Sequence, residues 1–453
     1  MSSGNGNLSA TTFIVGLLIA VAVLSVVLRH RPPPKAAAVG IDLGTTFSAV
    51  GVFNTGVGDV LLPPLDDTGS TVLPSNVEYD ALSDVLSVTG SEQCSQRDLR
   101  HCYFDSKRFI GRTARAMSSP AIAARYPFQL DRDSDPDEPA RFVAFEGDGS
   151  NEVRRSFAAH EISAALLSTL NRAAAKLVGR PVKECVIGVP VDFDAEQRRY
   201  TTEAAAIAGM RVLALINEPT LAAMAYGLHE RTDVHWVIVY DLGGGTLDVS
   251  VLEKESSAMF HIMASAGDTH FGGQDFNYAV YEALRARLAP AAQQSGDTLR
   301  LLRAEVERAK RALNSDESDV AGPQFSVTFD AALRDAATGQ RFELTRQSFE
   351  AMIGGDLLQR ATAPIARALA QQNLTIADIG EVVMVGGSSR LRCIRAAVAQ
   401  FFENRRPLHT GVPPEHAVAI GATLYAARLT GQWPLPLIAL EHEHESEQEH
   451  GEL

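Results

Sequence analysis

Four cysteines in 453 residues (Cys94, Cys102, Cys185 and Cys393) are too few to staple a chain of this length, and none falls at a paired metal-type spacing. This excludes a disulfide-built scaffold and says little about redox compartment. Basic charge is also scarce. A formal net charge of −14 argues against a broad nucleic-acid-binding surface, and no nucleic-acid partner is expected. There is no G-x-x-x-x-G-K-[ST], so the chain is not a P-loop protein. No Lys or Arg precedes the apolar run at residues 13–28, and "RHRPPPK" after it offers no small-residue cleavage site. Both absences argue against a cleaved signal peptide.

What is present suits a globular protein of two or three compact units: 45% hydrophobic and 21% charged residues. The run "FIVGLLIAVAVLSVVL" is uncharged and apolar on all sides, which predicts an uncleaved single-pass anchor. "RPPPKAAA" then reads as a stiff linker over residues 29–38. Arg29, Arg31 and Lys35 would keep the following side cytosolic, whereas the terminal "HGEL" weakly suggests a lumen. The tail, 433–453, is acidic and reads as solvated; metal binding by His442, His444 and His450 is the weaker reading.

From Val39 onward strands and helices alternate, predicting an α/β architecture. Helical spacing places Ile162, Leu166, Leu170 and Leu177 on one stripe. It places Leu299, Leu302, Val306, Ala309 and Leu313 on another, with Glu307, Lys310 and Arg311 largely off it. Asp194 with Gln197 forms a capping-box pattern. The decisive feature is a duplication. "AVGIDLGTTFSAVGVF" and "VIVYDLGGGTLDVSVLE" each read as strand, Asp-Leu-Gly, Gly/Thr turn, strand. Two such hairpins half a chain apart suggest two related lobes facing one another.

Gly/Thr hairpin turns expose backbone N–H groups and hydroxyls that bind phosphate oxygens. The preceding aspartates, Asp42 and Asp241, would repel phosphate unless a cation intervenes. They therefore suit outer ligands of Mg²⁺ or its waters. A third turn, "VVMVGGSSRL", would bring Gly386 and Gly387 against a flat ligand, with Arg390 able to stack its guanidinium on a base; a plain strand-to-helix turn is the competing reading.

With these turns the chain resembles the nucleotide-binding domain of the seventy-kilodalton heat-shock chaperones, in the actin/hexokinase superfamily. The matching segments run in family order: "GIDLGTTFSAVGVF", "FDSKRFIGR", "VIGVPVDFDAEQRR", "INEPTLAAMAYGL", "DLGGGTLDVS", "GDTHFGGQDFN", "ERAKRAL", "VVMVGGSSRL" and "AVAIGA". The N-terminal apolar segment, "GGQDFN" and "WPLPLIALE" resemble a truncated, microsome-associated member. The resemblance implies a two-lobed ATPase domain over 39–432, lobe I being about 39–229 with 410–432 and lobe II about 230–409. It assigns phosphate binding to Asp42, Gly44, Thr45, Thr46, Gly243, Gly244, Gly245 and Thr246, and adds Gly272 and Gly273. Lys107 matches the catalytic lysine, and Glu218, Asp241, Thr246 and Asp248 match groups around the metal and water. Glu307, Lys310, Arg311, Asn314, Gly386, Gly387, Ser388, Arg390 and Glu415 match the adenosine pocket. Pro190 and Arg198 match a switch coupling nucleotide state to lobe motion.

Asn314 stands where relatives carry serine, Glu415 replaces aspartate, Gln274 glutamate and Arg392 proline. The residues after Trp433 are too few for a peptide-binding domain, so no direct clamp on unfolded peptide is expected. The implied protein is an endoplasmic-reticulum or microsomal ATPase using ATP/ADP and Mg²⁺, with a stress-response or folding role through exchange factors or co-chaperones. A nucleotide-sensing module with little turnover is the alternative, and a sugar kinase of the same fold is weaker.

Overall fold

The computed structural model describes residues 38–433, except 90–98, 120–121, 123–125, 132–134, 147–151, 256–258, 316–321, 323–324 and 407. The anchor expected at 13–28, most of the linker, Cys94 and the acidic tail beyond Trp433 lie outside the described residues. Among the described residues, no helix is long and apolar enough to cross a membrane.

Two five-stranded paths dominate, and they repeat one topology. In the first, β1 (Ala38–Asp42) pairs antiparallel with β2 (Phe47–Asn54), and β2 with β3 (Asp59–Leu61). On its other side β1 runs parallel to β4 (Glu184–Val189), which runs parallel to β5 (Arg211–Asn217). In the second, β6 (Trp236–Leu242) pairs antiparallel with β7 (Leu247–Lys254), and β7 with β8 (Phe260–Asp268). Again the first strand runs parallel to the next two, β9 (Glu381–Val385) and β10 (Leu408–His409). The duplication read from two hairpins thus extends to whole sheets. Parallel crossovers need long connections, which the intervening helices supply.

The helices follow local chemistry. α1 (Ala159–Val178) buries Ile162, Leu166 and Leu170, but Leu177 is exposed because Ala174 ends the buried stripe. α2 (Ala195–Ile207) is capped as expected, with Gln197 N donating to Asp194 Oδ1 at 2.9 Å. α3 (Glu218–Ala225) begins immediately after β5, with Pro219 in its first turn, where a missing N–H is harmless. α4 (Gly273–Arg285) and α5 (Gly296–Leu313) pack beside the second sheet, where α6 (Arg346–Gln371) and α7 (Arg392–Phe401) also join the core. α5 buries Leu302, Val306, Ala309 and Leu313; Lys310, expected off that face, is buried as well.

Each sheet has its own core, and a third joins them. It collects Ala38 and Val186 from the first sheet, Val237, Val239 and Val383 from the second, and Ala422 from α8 (Ala417–Leu429). α8 crosses α3 so closely that a Cβ on Gly421 would lie 1.9 Å from the Leu221 carbonyl oxygen. Cys185 is a buried core thiol, and Cys102 is disulfide-bonded, a single bond that the sparse cysteine count left unaddressed.

Candidate active site

The two hairpin turns open on one cavity of 420 Å³. The first hairpin supplies Asp42, Gly44, Thr45 and Thr46, and the second supplies Asp241, Gly243, Gly244, Gly245, Thr246 and Asp248. Lys107 and Glu218 enter the wall, α5 adds Glu307, Lys310, Arg311 and Asn314, and the third turn adds Gly386, Gly387, Ser388 and Arg390. Glu415 completes this set. Gly272 and Gly273 do not line the cavity. They support it from behind: a Cβ on Gly272 would lie 2.5 Å from Gly245 N, so only glycine lets α4 abut the hairpin.

The three glycines of the second turn act through their carbonyls. Gly273 N donates to Gly243 O at 3.0 Å and Gln274 N to Gly244 O at 2.8 Å, occupying two otherwise unpaired N–H groups at the start of α4. Arg108 Nη2 donates to Gly245 O at 2.9 Å. In a trans peptide the next residue's N–H points opposite to the carbonyl. With all three carbonyls so held, the N–H groups of Gly244, Gly245 and Thr246 point away from α4 and Arg108, on a turn that lines the cavity. In the first turn Ser75 does the same work, donating from Oγ to Gly44 O at 2.8 Å and from N to Thr46 O at 2.9 Å. Neither turn has a glycine at positive φ. The demand is for close approach: a Cβ on Gly244 would lie 2.5 Å from Thr46 Oγ1.

Below the turns lies a carboxylate cluster around one ammonium. Lys107 Nζ pairs with Glu218 Oε1 at 2.5 Å. Burial alone would lower the Lys107 pKa, but Glu218, Asp42 and Asp241 raise it above its usual value. Burial and then Glu218 push Asp42 up to about 7 against the opposing pull of Lys107. Burial, Glu218 and Asp248 hold Asp241 well above the usual carboxylate range. Enclosure, Glu218 and Asp192 push Asp248 up to about 7. Asp248 is nevertheless exposed to cavity water by accessible surface, so its rise is the weaker one. Asp241 and Asp248 are direct cross-strand partners, an arrangement that like charges disfavour. The cluster therefore favours a cation.

At the opposite end, Glu307 accepts from Arg311 Nε at 2.8 Å and pairs with Lys310 at 2.7 Å. Burial would raise the Glu307 pKa, but Lys310, Asn277 and Arg311 bring it down to about 2. Arg311 of α5 also lies 5.0 Å above the ring of Phe47 on β2, joining the two sheets across the cleft. Arg390 is gripped by both carboxylate oxygens of Glu415, at 2.7 and 2.9 Å. That grip holds its guanidinium as a fixed plane. Asn314 bridges Lys310 O and Arg392 N, tying the end of α5 to the start of α7. Arg198 does not contact the cavity; it holds Phe193 O and the side chain of Asn217, the residue before Glu218.

Sequence reasoning missed Arg108, Ser75 and Phe47. Arg108 stood beside Lys107 in a quoted motif, whereas nothing local marks Ser75.

A family model described as Hsp70 protein matches residues 38–441. The chain belongs to the Hsp70 family. Among relatives of this Hsp70 chain, heat shock 70 kDa protein 13 (Stch) of Homo sapiens is 34% identical over 91% of the chain and 93% of its own length. The same protein of Mus musculus is 35% identical over the same shares. Hsp70 membership makes ATP binding the general expectation for the cavity, in agreement with its paired N–H turns.

Proposed function

We propose that the chain is a two-lobed, actin/hexokinase-like ATPase, anchored to the endoplasmic-reticulum membrane, that hydrolyses ATP with Mg²⁺ and acts in protein quality control through partners. The observation that carries this reading is Lys107, held by Glu218 within the cavity lined by two N–H-presenting turns. The turns would receive the phosphates, and Lys107 would orient water and offset γ-phosphate charge.

The acidic cluster suits a hydrated divalent cation. Among the described residues no group of three His, Cys, Asp or Glu side chains converges as direct ligands. Asp42 and Asp241 would thus hold Mg²⁺ mainly through water, as Mg²⁺ prefers. The metal would neutralise phosphate charge; Asp42, Asp241 and Asp248 would fix its waters, and Thr246 would donate to phosphate oxygen.

The test is direct. Purified protein should bind ATP in Mg²⁺ and release phosphate; failure to bind sinks the reading. A nucleotide-sensing module is favoured as second reading by the contacts of Arg108 and Arg311 across the cleft, which make its closure readable by a partner. Under that reading, Lys107→Ala would keep cellular function.

A further inference from the structure

We propose that Asn373 carries an N-linked glycan, which places the ATPase domain in the lumen of the secretory pathway. Asn373-Leu374-Thr375 is an acceptor pattern. The structure puts it on an exposed turn after α6, where Asn373 has φ 53° and an exposed side chain. Its backbone N donates to Ala370 O, while no hydrogen bond engages its side-chain amide among the described residues. Thr375 is exposed too, and its hydroxyl donates to Asp378 Oδ2 at 2.7 Å. Asn373 is not among the cavity-lining residues, so a bulky sugar there leaves the nucleotide site open.

A plainer explanation exists for the asparagine. Asn is tolerated as a left-handed residue after a helix, where glycine is commoner. Thr375 has a turn role as well, its N and hydroxyl both donating to Asp378 Oδ2, so the acceptor reading rests on the spacing of the two residues and their shared exposure. A second observation concerns the compartment. Cys102 is disulfide-bonded, and such bonds persist in oxidising lumens and are rare in the cytosol. The acceptor pattern and the disulfide outweigh Arg29, Arg31 and Lys35, which favour a cytosolic face.

The chemistry is a group transfer from a polyprenyl-diphosphate oligosaccharide. Asn373 Nδ2 forms a bond to the anomeric carbon of the donor sugar. The carbon–oxygen bond to diphosphate breaks, the polyprenyl diphosphate leaves with its electron pair, and one amide proton passes to a base of the transferase.

The inference rests on the membrane-anchored reading, and one experiment separates the two. Full-length protein is expressed in cultured eukaryotic cells, and its membranes are extracted with alkaline carbonate and treated with peptide N-glycosidase. The expected result is a carbonate-resistant chain whose mobility increases by one glycan on digestion. Asn373→Gly, which suits the left-handed turn, and Thr375→Ala should both abolish that shift, and Thr375→Ser should keep it. Asn7-Leu8-Ser9 is a second acceptor pattern, on the other side of the apolar run. A membrane-bound chain with no shift, a shift that survives Asn373→Gly, or one lost only in Asn7→Gln overturns the proposal. A soluble chain glycosylated at Asn373 supports the glycan and sinks the anchor. A soluble chain without glycan sinks both.

Discussion

Arg108 reaches across the cleft and holds two backbone carbonyls of the opposite half: Nη2 to Gly245 O at 2.9 Å and Nη1 to Thr269 O at 2.6 Å. It follows Lys107 directly, so one short segment positions both the ammonium and the turn that faces it. Charged hydrogen bonds of this kind contribute about 1.5–3 kcal/mol. Arg108→Ala should therefore weaken ATP binding by about tenfold or more, measured by calorimetry. Arg108→Lys should recover only part, since an ammonium lacks the two-pronged fork. Unchanged affinity in Arg108→Ala would remove the residue from the site.

The three glycines of the second turn should differ in tolerance. A Cβ on Gly244 meets Thr46 Oγ1 at 2.5 Å, whereas the nearest atom to one on Gly243 is 3.6 Å away. Gly244→Ala should lower stability by about 1–3 kcal/mol, the usual effect of overpacking, and Gly243→Ala by much less. Urea midpoints decide it, and equal midpoints would refute the packing argument.

Lys107→Ala should lower turnover by about a hundredfold or more while ATP affinity changes a few-fold at most, because the N–H groups of the turns remain. Chelating Mg²⁺ should act differently and weaken binding itself, since Asp42 and Asp241 then face phosphate without a cation. Single-turnover and binding assays separate these effects. A Lys107→Ala protein with full turnover ends the proposed role.

Glu307 makes acid stability a test. Its folded pKa of about 2 lies below the ordinary 4.5, because Lys310, Asn277 and Arg311 outweigh burial. The resulting stability is fully present above the unfolded pKa and is lost as pH falls through about 2. It is on the order of 3 kcal/mol. Glu307→Gln should be less stable than the parent at pH 7, and the difference should vanish toward pH 2. A pH-independent difference would show that packing, not charge, is at stake.

Much of the site was legible because phosphate recognition is local. A turn that must present N–H groups writes itself as Gly and Thr beside Asp, and this sequence does so twice. Capping was equally local, as Asp194 and Gln197 show. The stripe on α5 was readable from spacing, yet Lys310 was misplaced. Its burial is set by pairing with Glu307 and by the Gly273 carbonyl 3.3 Å away, neither of which periodicity reports. Arg390 was expected to stack on a base; the sequence did not show that Glu415, twenty-five residues on, fixes its plane.

By itself, the sequence determined the alternating architecture, the duplicated hairpins and the residue types that face the cavity, since these follow from short-range spacing and turn chemistry. The tertiary structure alone decided which way the turns point. Gly244, Gly245 and Thr246 present N–H groups because the carbonyls of Gly243, Gly244 and Gly245 are taken by Gly273, Gln274 and Arg108. Those partners come from other elements, and hydrogen bonds between distant segments leave no mark on local sequence.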